Sequence, residues 1–156
     1  MTAESLFGQD ATSRRTEALQ VCLTAHAGQK DKNGMAYWTH PFRVAEALHH
    51  GGGTDLQVSV ALLHDVVEDS PWTLDATLRR FGPRVAQAVD ALTRREGEPY
   101  QDYIGRVKQD PCARAVKWRD VQDNMQHWRL EELDPATQKR LTEKYGKALV
   151  RLDERG

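Results

Sequence analysis

The chain has 156 residues, with 22 Lys and Arg against 23 Asp and Glu, so its formal net charge is −1. A near-neutral chain of this length excludes a strongly basic nucleic-acid binder and a polybasic membrane-surface protein, and it is long enough to bury the core of one domain. With 39% apolar and 29% charged residues, the composition is that of a folded globular protein rather than a disordered one.

Helix caps, apolar spacing and helix breakers predict helices along the whole chain. Ser13, Thr54 and Thr73 stand where N-caps are expected, and glycine or proline ends most of the apolar segments. No segment shows the sustained alternation that is typical of a strand. The predicted helices cover residues 13–27, 41–50, 55–68, 74–80, 84–92, 100–108, 113–128 and 136–152.

We therefore expect one all-α domain, a helical bundle over 13–156, after a flexible N-terminus at 1–12. The C-terminal helix, 135–152, is interpreted as a packing or dimer element, which leaves a homo-oligomer open.

Two distant cysteines make neither a disulfide framework nor a zinc pair, as is usual in a reducing cytoplasm. The longest uncharged apolar run, 60–63, is too short to span a bilayer, and the N-terminus has no signal-peptide core. The sequence predicts a cytoplasmic protein that binds neither membrane nor nucleic acid.

The stretch at 60–70, VALLHDVVEDS, sets four ionisable side chains into an apolar helix. On one helix His64 and Glu68 are four residues apart, as are Asp65 and Asp69, so the four form a stripe beside the buried one. With neutral histidine this stripe carries three negative charges within two turns, which costs free energy unless a cation offsets it. Because His and Asp are suitable ligands for a divalent metal, the stretch predicts a metal site; the alternative is a solvated helix end.

Two further segments carry candidate ligands. His40 stands where a loop turns into a helix, either as a ligand or as a capping or core histidine. Lys117, Asp120 and Asn124 share one helix face at spacings of three and four residues. This face is either a ligand-bearing one or the site of a solvated Lys117–Asp120 ion pair, and the residues by themselves leave both alternatives open.

Taken in order, these segments resemble the HD family of metal-dependent phosphohydrolases. More narrowly, they resemble the hydrolase domain of RelA/SpoT-type alarmone enzymes and the stand-alone small alarmone hydrolases. The resemblance covers residues 18–128, which is more than two thirds of the chain. It rests on the HDxxED motif at 64–69, the THP at 39–41, the KxxDxxxN at 117–124, and matches at His26, Gly28, Gln29, Gly34, Tyr37, Phe81, Gly82, Tyr100 and Tyr103.

The resemblance implies a role for each matching residue. One divalent metal, usually manganese in this subgroup, would be bound by His40, His64, Asp65 and Asp120. Glu68 and Asp69 would hold and deprotonate the attacking water. The nucleotide would be contacted by Lys32, Lys117, Asn124 and Tyr103. Arg114 is one of the cations available to meet phosphate charge, which a focused basic pocket must supply in a near-neutral chain.

The implied reaction is hydrolysis of the 3′-pyrophosphate of a purine alarmone, (p)ppGpp or (p)ppApp, a small-molecule nucleotide. The chain departs from the family pattern at Asp31, where an arginine that packs on the purine is usual; a match shifted by one residue would place Lys30 there instead. It also departs at Asp123, where a histidine or an aromatic residue is frequent. Because a carboxylate does not stack on a base as a guanidinium does, we expect an altered base preference. Two alternatives remain: an HD phosphohydrolase of another nucleotide (a 5′-nucleotidase or a dNTP triphosphohydrolase), and a catalytically silent nucleotide-binding domain.

Overall fold

The computed structural model describes residues 13–153, and the predicted all-α class is confirmed for this part of the chain. Its only β structure is one isolated bridge between Lys30 and Ala36. The segment 1–12 and the last three residues lie outside the described residues, so the predicted flexible N-terminus and the domain bounds at 13–156 stay predictions. The helices are α1 Ser13–Ala25, α2 Thr39–His50, α3 Asp55–Leu63, α4 Val66–Asp69, α5 Leu74–Phe81, α6 Pro83–Leu92, α7 Tyr100–Val107, α8 Pro111–Asn124, α9 His127–Leu130 and α10 Pro135–Asp153.

Local sequence explains where several helices begin. The Thr54 hydroxyl accepts a hydrogen bond from the Gln57 N–H, and the Thr54 N–H donates to the Gln57 side chain, which forms a capping box at the start of α3. Thr73 caps α5 through its hydroxyl, and Asp110 caps α8 by accepting the Ala113 N–H at 3.0 Å. The caps predicted at Thr54 and Thr73 are therefore confirmed.

Helix α3 lies at the centre of the bundle. Residues 58–63 are all buried, and α3 packs against α1, α2, α6 and α8. A helix that is apolar on every side has no solvent face, so its C-terminal end is carried into the interior. The ionisable residues that follow it are thereby placed among buried helices. None of the helices in the described range is long and apolar enough to cross a membrane.

The predicted helix 55–68 is wrong as a continuous element, because it breaks between α3 and α4. In a continued helix the Ala61 carbonyl would accept the Asp65 N–H. Instead that oxygen lies 2.5 Å from His64 Nδ1 and also accepts the His64 N–H. The histidine side chain competes with the backbone, and the chain turns at Asp65, whose φ is −105° and ψ 0°.

The predicted helix 113–128 also breaks, because α8 ends at Asn124 and the short α9 follows. Gln126 between them is extended, with φ −57° and ψ 133°. Its side chain amide donates to Asp123 at 2.6 Å and its amide oxygen accepts from Trp128 at 2.8 Å. The turn brings Arg129 back over the end of α8, where its guanidinium donates to Asp123 at 2.9 Å.

Candidate active site

Four predicted ligands from three parts of the chain lie close together. One ring nitrogen each of His40 and His64 and one carboxylate oxygen of Asp65 lie within 4.8 Å of one another. His40 is in the first turn of α2, and the other two residues form the break after α3. Asp120 joins them from α8, with Oδ1 2.7 Å from His40 Nε2 and 3.4 Å from His64 Nε2.

The chemistry of this donor set fits a divalent cation. Imidazole nitrogens together with carboxylate oxygens are usual ligands of first-row divalent metals. His64 Nε2 is buried and has no hydrogen-bond partner among the described residues, although Asp65 Oδ2 lies 3.1 Å away. A buried ring nitrogen that faces carboxylates without a hydrogen bond is the arrangement that a shared cation satisfies.

Each histidine is anchored through Nδ1, and this leaves Nε2 towards the carboxylates. His64 Nδ1 lies beside the Ala61 carbonyl, which can only accept, so Nδ1 carries the proton. His40 Nδ1 lies 2.6 Å from Asp123 Oδ2. A ligating histidine commonly donates its other N–H to a carbonyl or carboxylate, which fixes the tautomer and the ring orientation.

Asp123, a departure from the family pattern, is the centre of a buried charge network. Arg43 donates two hydrogen bonds to it, at 2.9 and 3.1 Å, and Arg129 donates one at 2.9 Å. Burial raises the pKa of Asp123, but the hydrogen bonds from His40 and Arg43 outweigh burial and lower it to about 2. The signal for Asp123 is its spacing of three residues after Asp120; Arg43 and Arg129 carry no such signal.

The histidines respond to the same carboxylates. Burial disfavours the charged ring of His40, but hydrogen bonds with Asp120 and Asp123 outweigh burial and raise its pKa. The pKa of His64 is also raised, because Asp65 and Asp120 outweigh burial. In both rings the effect of the neighbouring carboxylates is larger than that of burial.

The break and α4 are tied to the rest of the bundle by residues of the segment between α1 and α2. The Tyr37 hydroxyl donates to Asp65 Oδ2 at 2.8 Å. His26 Nδ1 lies 2.8 Å from the Gln29 amide oxygen, and the Gln29 amide donates to the Asp69 carbonyl at 2.7 Å. His26 is buried and supports α4 through Gln29, so its contacts are those of a structural residue.

The predicted water-activating pair, Glu68 and Asp69, lies on α4 with both residues exposed. Partial burial raises the pKa of Asp69 to about 6, and the charges of Asp65 and Glu68 add to this. Burial also raises the pKa of Glu68, against the hydrogen bond that its carboxylate accepts from the Arg94 N–H. A carboxylate with a pKa near neutrality is suited to accept a proton.

A cavity of about 320 Å³ opens beside the predicted ligands. Three of the predicted nucleotide-binding residues, Lys32, Lys117 and Asn124, line it. Lys117 Nζ lies 2.7 Å from Asp120 Oδ2, and the Asn124 amide donates to Asp120 Oδ1 at 3.3 Å. The predicted Lys117–Asp120 ion pair therefore exists, but it is buried in the site, with side chains only 12% and 5% exposed.

Two predicted nucleotide-binding residues are not brought to this cavity. Tyr103 is buried, its hydroxyl donates to the Leu92 carbonyl at 2.6 Å, and it meets the site only through Lys117, whose Nζ lies 5.0 Å from its ring centroid. Arg114 lines a separate groove with Trp118. Arg114 is therefore not among the residues that line the cavity, and its role in meeting phosphate charge stays a prediction.

Asp31, which stands where the family has a base-stacking arginine, turns back into its own loop. Its Oδ1 accepts the N–H groups of Asn33 and Met35 at 2.9 and 3.0 Å, and its Oδ2 lies 3.4 Å from Arg129 Nη2. The side chain is only 3% exposed. Asp31 therefore shapes the loop that carries Lys32 and leaves no planar cation at this position.

The sequence of this chain is similar to that of known proteins. The model of the HD domain family matches residues 18–126. A probable GTP pyrophosphokinase of Mycobacterium leprae is 35% identical over 132 residues, which is 79% of this chain and 16% of that protein. A guanosine-3′,5′-bis(diphosphate) 3′-pyrophosphohydrolase of Aquifex aeolicus is 34% identical over 116 residues, 69% of this chain and 17% of that protein. The chain thus spans about a sixth of the length of these relatives.

A solved structure shares the fold. It is that of a metazoan ortholog of SpoT, described as hydrolysing ppGpp, and it superposes with a TM-score of 0.79 at 23% identity. The match covers 91% of this chain and 86% of that one. The helical arrangement of the candidate site is therefore that of a known fold.

Proposed function

The chain belongs to the HD domain family, and from that premise we propose that it hydrolyses the 3′-pyrophosphate of a purine alarmone, (p)ppGpp or (p)ppApp. The observation that carries the proposal is the meeting of His40, His64, Asp65 and Asp120 beside a cavity with cationic walls. A relative that matches most of this chain bears the name of this activity. The products would be pyrophosphate and a nucleoside 5′-diphosphate or 5′-triphosphate.

The four predicted ligands would hold one divalent ion, for which we propose manganese. When bound, such an ion neutralises phosphate charge and acts as a Lewis acid. The protein's own residues orient the site: Asp123 and the Ala61 carbonyl hold the two histidines in one tautomer. Tyr37 keeps the Asp65 carboxylate in place.

Proton transfer is the proposed task of the α4 carboxylates. Glu68 and Asp69 would hold the attacking water and accept its proton, and the raised pKa of Asp69 supports this role. Lys117 and Lys32 would meet the phosphate charges, and Asn124 would donate a hydrogen bond to the nucleotide. Neutralisation of an anionic substrate by positioned cations is the main contribution that such a site makes to the transfer of a phosphoryl group.

The base preference is proposed to be relaxed relative to the family. The stacking arginine is replaced by Asp31, whose carboxylate is folded into its loop, so this position offers a purine neither stacking nor a free acceptor. We expect (p)ppApp to be accepted beside (p)ppGpp. The cytoplasmic location and the homo-oligomer stay predictions.

The test is pyrophosphate release by purified protein with Mn²⁺, from ppGpp, pppGpp, ppApp, GTP and dATP, with EDTA as the control. Release from the 3′-pyrophosphorylated nucleotides that EDTA abolishes is the expected result. The Glu68→Gln protein, purified in the same way, shows whether a contaminating enzyme contributes. Release from GTP or dATP alone would show a phosphohydrolase of another nucleotide instead. Nucleotide binding without release would show a catalytically silent domain.

A further inference from the structure

One buried guanidinium joins the segment between α1 and α2 to the end of α8. It belongs to Arg129 of the short helix α9, and its side chain is only 10% exposed. Its Nη1 donates to Asp123 Oδ2 at 2.9 Å and to the side-chain oxygen of Asn124 at 3.1 Å. Its Nη2 lies 3.4 Å from Asp31 Oδ2. Asp31 and Arg129 are 98 residues apart in the chain, so only the fold brings them together.

At one end the guanidinium fastens a loop that has hydrogen bonds of its own. We call residues 28–36, which carry Lys32, the Lys32 loop. Asp31 Oδ1 accepts two N–H groups of this loop, at 2.9 and 3.0 Å, whereas Asp31 Oδ2 faces Arg129. The Asn33 amide also donates to the Arg129 carbonyl at 2.9 Å. The two carboxylate oxygens of Asp31 thus have separate tasks, because one shapes the loop and the other ties it to α9.

At its other end the guanidinium reaches the anchor of a predicted metal ligand. Asp123, which accepts a hydrogen bond from Arg129, also lies 2.6 Å from His40 Nδ1. Arg129 Nη1 itself lies 3.3 Å from that ring nitrogen. The side chains of Asp31 and Asp123 are only 3% and 5% exposed, so water screens these contacts far less than it screens a surface ion pair. A continuous series of buried contacts therefore runs from the Lys32 loop to His40.

We infer that Arg129 is a positioning residue, which couples the Lys32 loop to the predicted metal ligand His40. The inference rests on the proposed function for the roles of that loop and of that ligand. A planar guanidinium offers separate amino groups to two carboxylates at once, which the single ammonium of a lysine does not match. A change in the loop should therefore alter metal affinity, and a change at Asp123 should alter the loop, because such a coupling acts in both directions.

The test is a double-mutant cycle of Asp31→Asn and Arg129→Lys. Asparagine keeps the Oδ1 acceptor that shapes the loop and replaces only the carboxylate oxygen that faces Arg129. Lysine keeps the positive charge and removes the fork that reaches both Asp31 and Asp123. Asp75→Asn and Arg79→Lys, at an exposed ion pair of α5, are the matched controls. Circular dichroism and melting temperature show whether each variant folds.

Calorimetric titration of Mn²⁺ measures the coupling at the metal ligand. Asp31→Asn should weaken Mn²⁺ binding about fivefold, although Asp31 is not a predicted ligand, because Arg129 then orients the Asp123 anchor less firmly. In the Arg129→Lys protein, where the coupling is already lost, the same change should have no further effect. An equal loss in both backgrounds would overturn the inference, because the charge of Asp31 would then act through space. Unchanged Mn²⁺ affinity in Asp31→Asn would also overturn it.

Hydrogen exchange of the metal-free protein measures the coupling at the loop. Asp123→Asn should raise the exchange rate of the amides at 30–36 about threefold or more, because Arg129 is then held less firmly, and it should add nothing in the Arg129→Lys protein. A loop whose exchange does not respond to Asp123→Asn would overturn the inference. If the unsubstituted protein neither binds Mn²⁺ nor hydrolyses ppGpp, the proposed function fails, and the exchange rates still decide whether Arg129 couples the loop to α8.

Discussion

The two halves of the candidate metal site are built in different ways. His40 and Asp120 lie within the regular helices α2 and α8, and we call them the helical half. His64 and Asp65 lie where α3 and α4 are interrupted, and we call them the break half. The helical half is oriented by side chains, since Asp123 holds His40, whereas the Nδ1 of His64 is held by the main-chain carbonyl of Ala61.

The difference matters for how each half responds to substitution. A side-chain anchor such as Asp123 is removed by a single change, and regular helices on both sides of it can persist. A main-chain anchor is removed only by changing the fold around α3, where residues 58–63 are all buried. Single substitutions can therefore change the metal affinity of the site through the helical half. In the break half, the buried core protects the anchor from such changes.

The largest expected effect is that of removing a predicted ligand from the break half. Asp65→Ala should abolish stoichiometric metal binding and lower the rate of pyrophosphate release by about 10³-fold or more, because several kcal/mol of charge stabilisation are lost with the ion. Metal content by mass spectrometry and the release assay measure both. Asp75→Ala, at an exposed aspartate of α5, is the matched control. Full metal content in Asp65→Ala would show that Asp65 is not a ligand.

The α4 carboxylates should affect turnover and not metal content. Glu68→Gln and Asp69→Asn are each expected to lower kcat by about 10²- to 10⁴-fold, the range for loss of a general base, while the metal stays bound. Single-turnover kinetics with metal analysis separate the two effects. If one of the variants turns over like the unsubstituted protein, that carboxylate does not accept the proton.

The anchor of the helical half should give a smaller effect. Asp123→Asn is expected to lower Mn²⁺ affinity about 10- to 100-fold, because the amide orients His40 less firmly and leaves Arg43 and Arg129 without their carboxylate. Calorimetric titration of Mn²⁺ gives the affinity, and circular dichroism gives the helix content. Asp102→Asn on the exposed side of α7 is the control. Unchanged Mn²⁺ affinity would show that His40 needs no side-chain anchor.

The smallest effect is expected where α8 begins, at the end remote from Asp123. Asp110→Ala removes the N-cap of α8 and an ion pair with Arg84 at 2.9 Å, and should lower the free energy of unfolding by about 1–2 kcal/mol with unchanged kcat. Urea denaturation measures the former. A lowered kcat, or a loss of Mn²⁺ affinity as large as that of Asp123→Asn, would contradict the independence of the two ends.

The same pair predicts a pH dependence. Burial raises the pKa of Asp110, but its hydrogen bond with Arg84 outweighs burial and lowers it below that of the unfolded chain. The stabilisation is therefore complete above the ordinary aspartate pKa and is lost as the pH falls through the lowered value. The difference in stability between the unsubstituted protein and Asp110→Ala should shrink in acid. A difference that persists unchanged in acid would assign the effect to packing.

Much of the local structure was predictable from the sequence, because it depends on neighbouring residues. Caps such as Thr54 act within three residues, and the spacing of Lys117, Asp120 and Asn124 follows from the period of one helix. The HDxxED motif likewise indicated candidate ligands, because its ionisable residues also recur at helical spacing. The break at His64 was not predictable from periodicity, since it arises when a side chain takes a main-chain acceptor.

The sequence by itself determined the helical class, most helix starts and the residue types that suit a divalent ion. Only the tertiary structure decided that His40, His64 and Asp65 lie together with Asp120 beside them, that Asp123 anchors His40, and that Arg114 lies elsewhere. It also placed Arg129 between Asp31 and Asp123. The physical reason is range: caps and helix periodicity act over a few residues, whereas these contacts join side chains that are distant in the chain and depend on how buried helices pack.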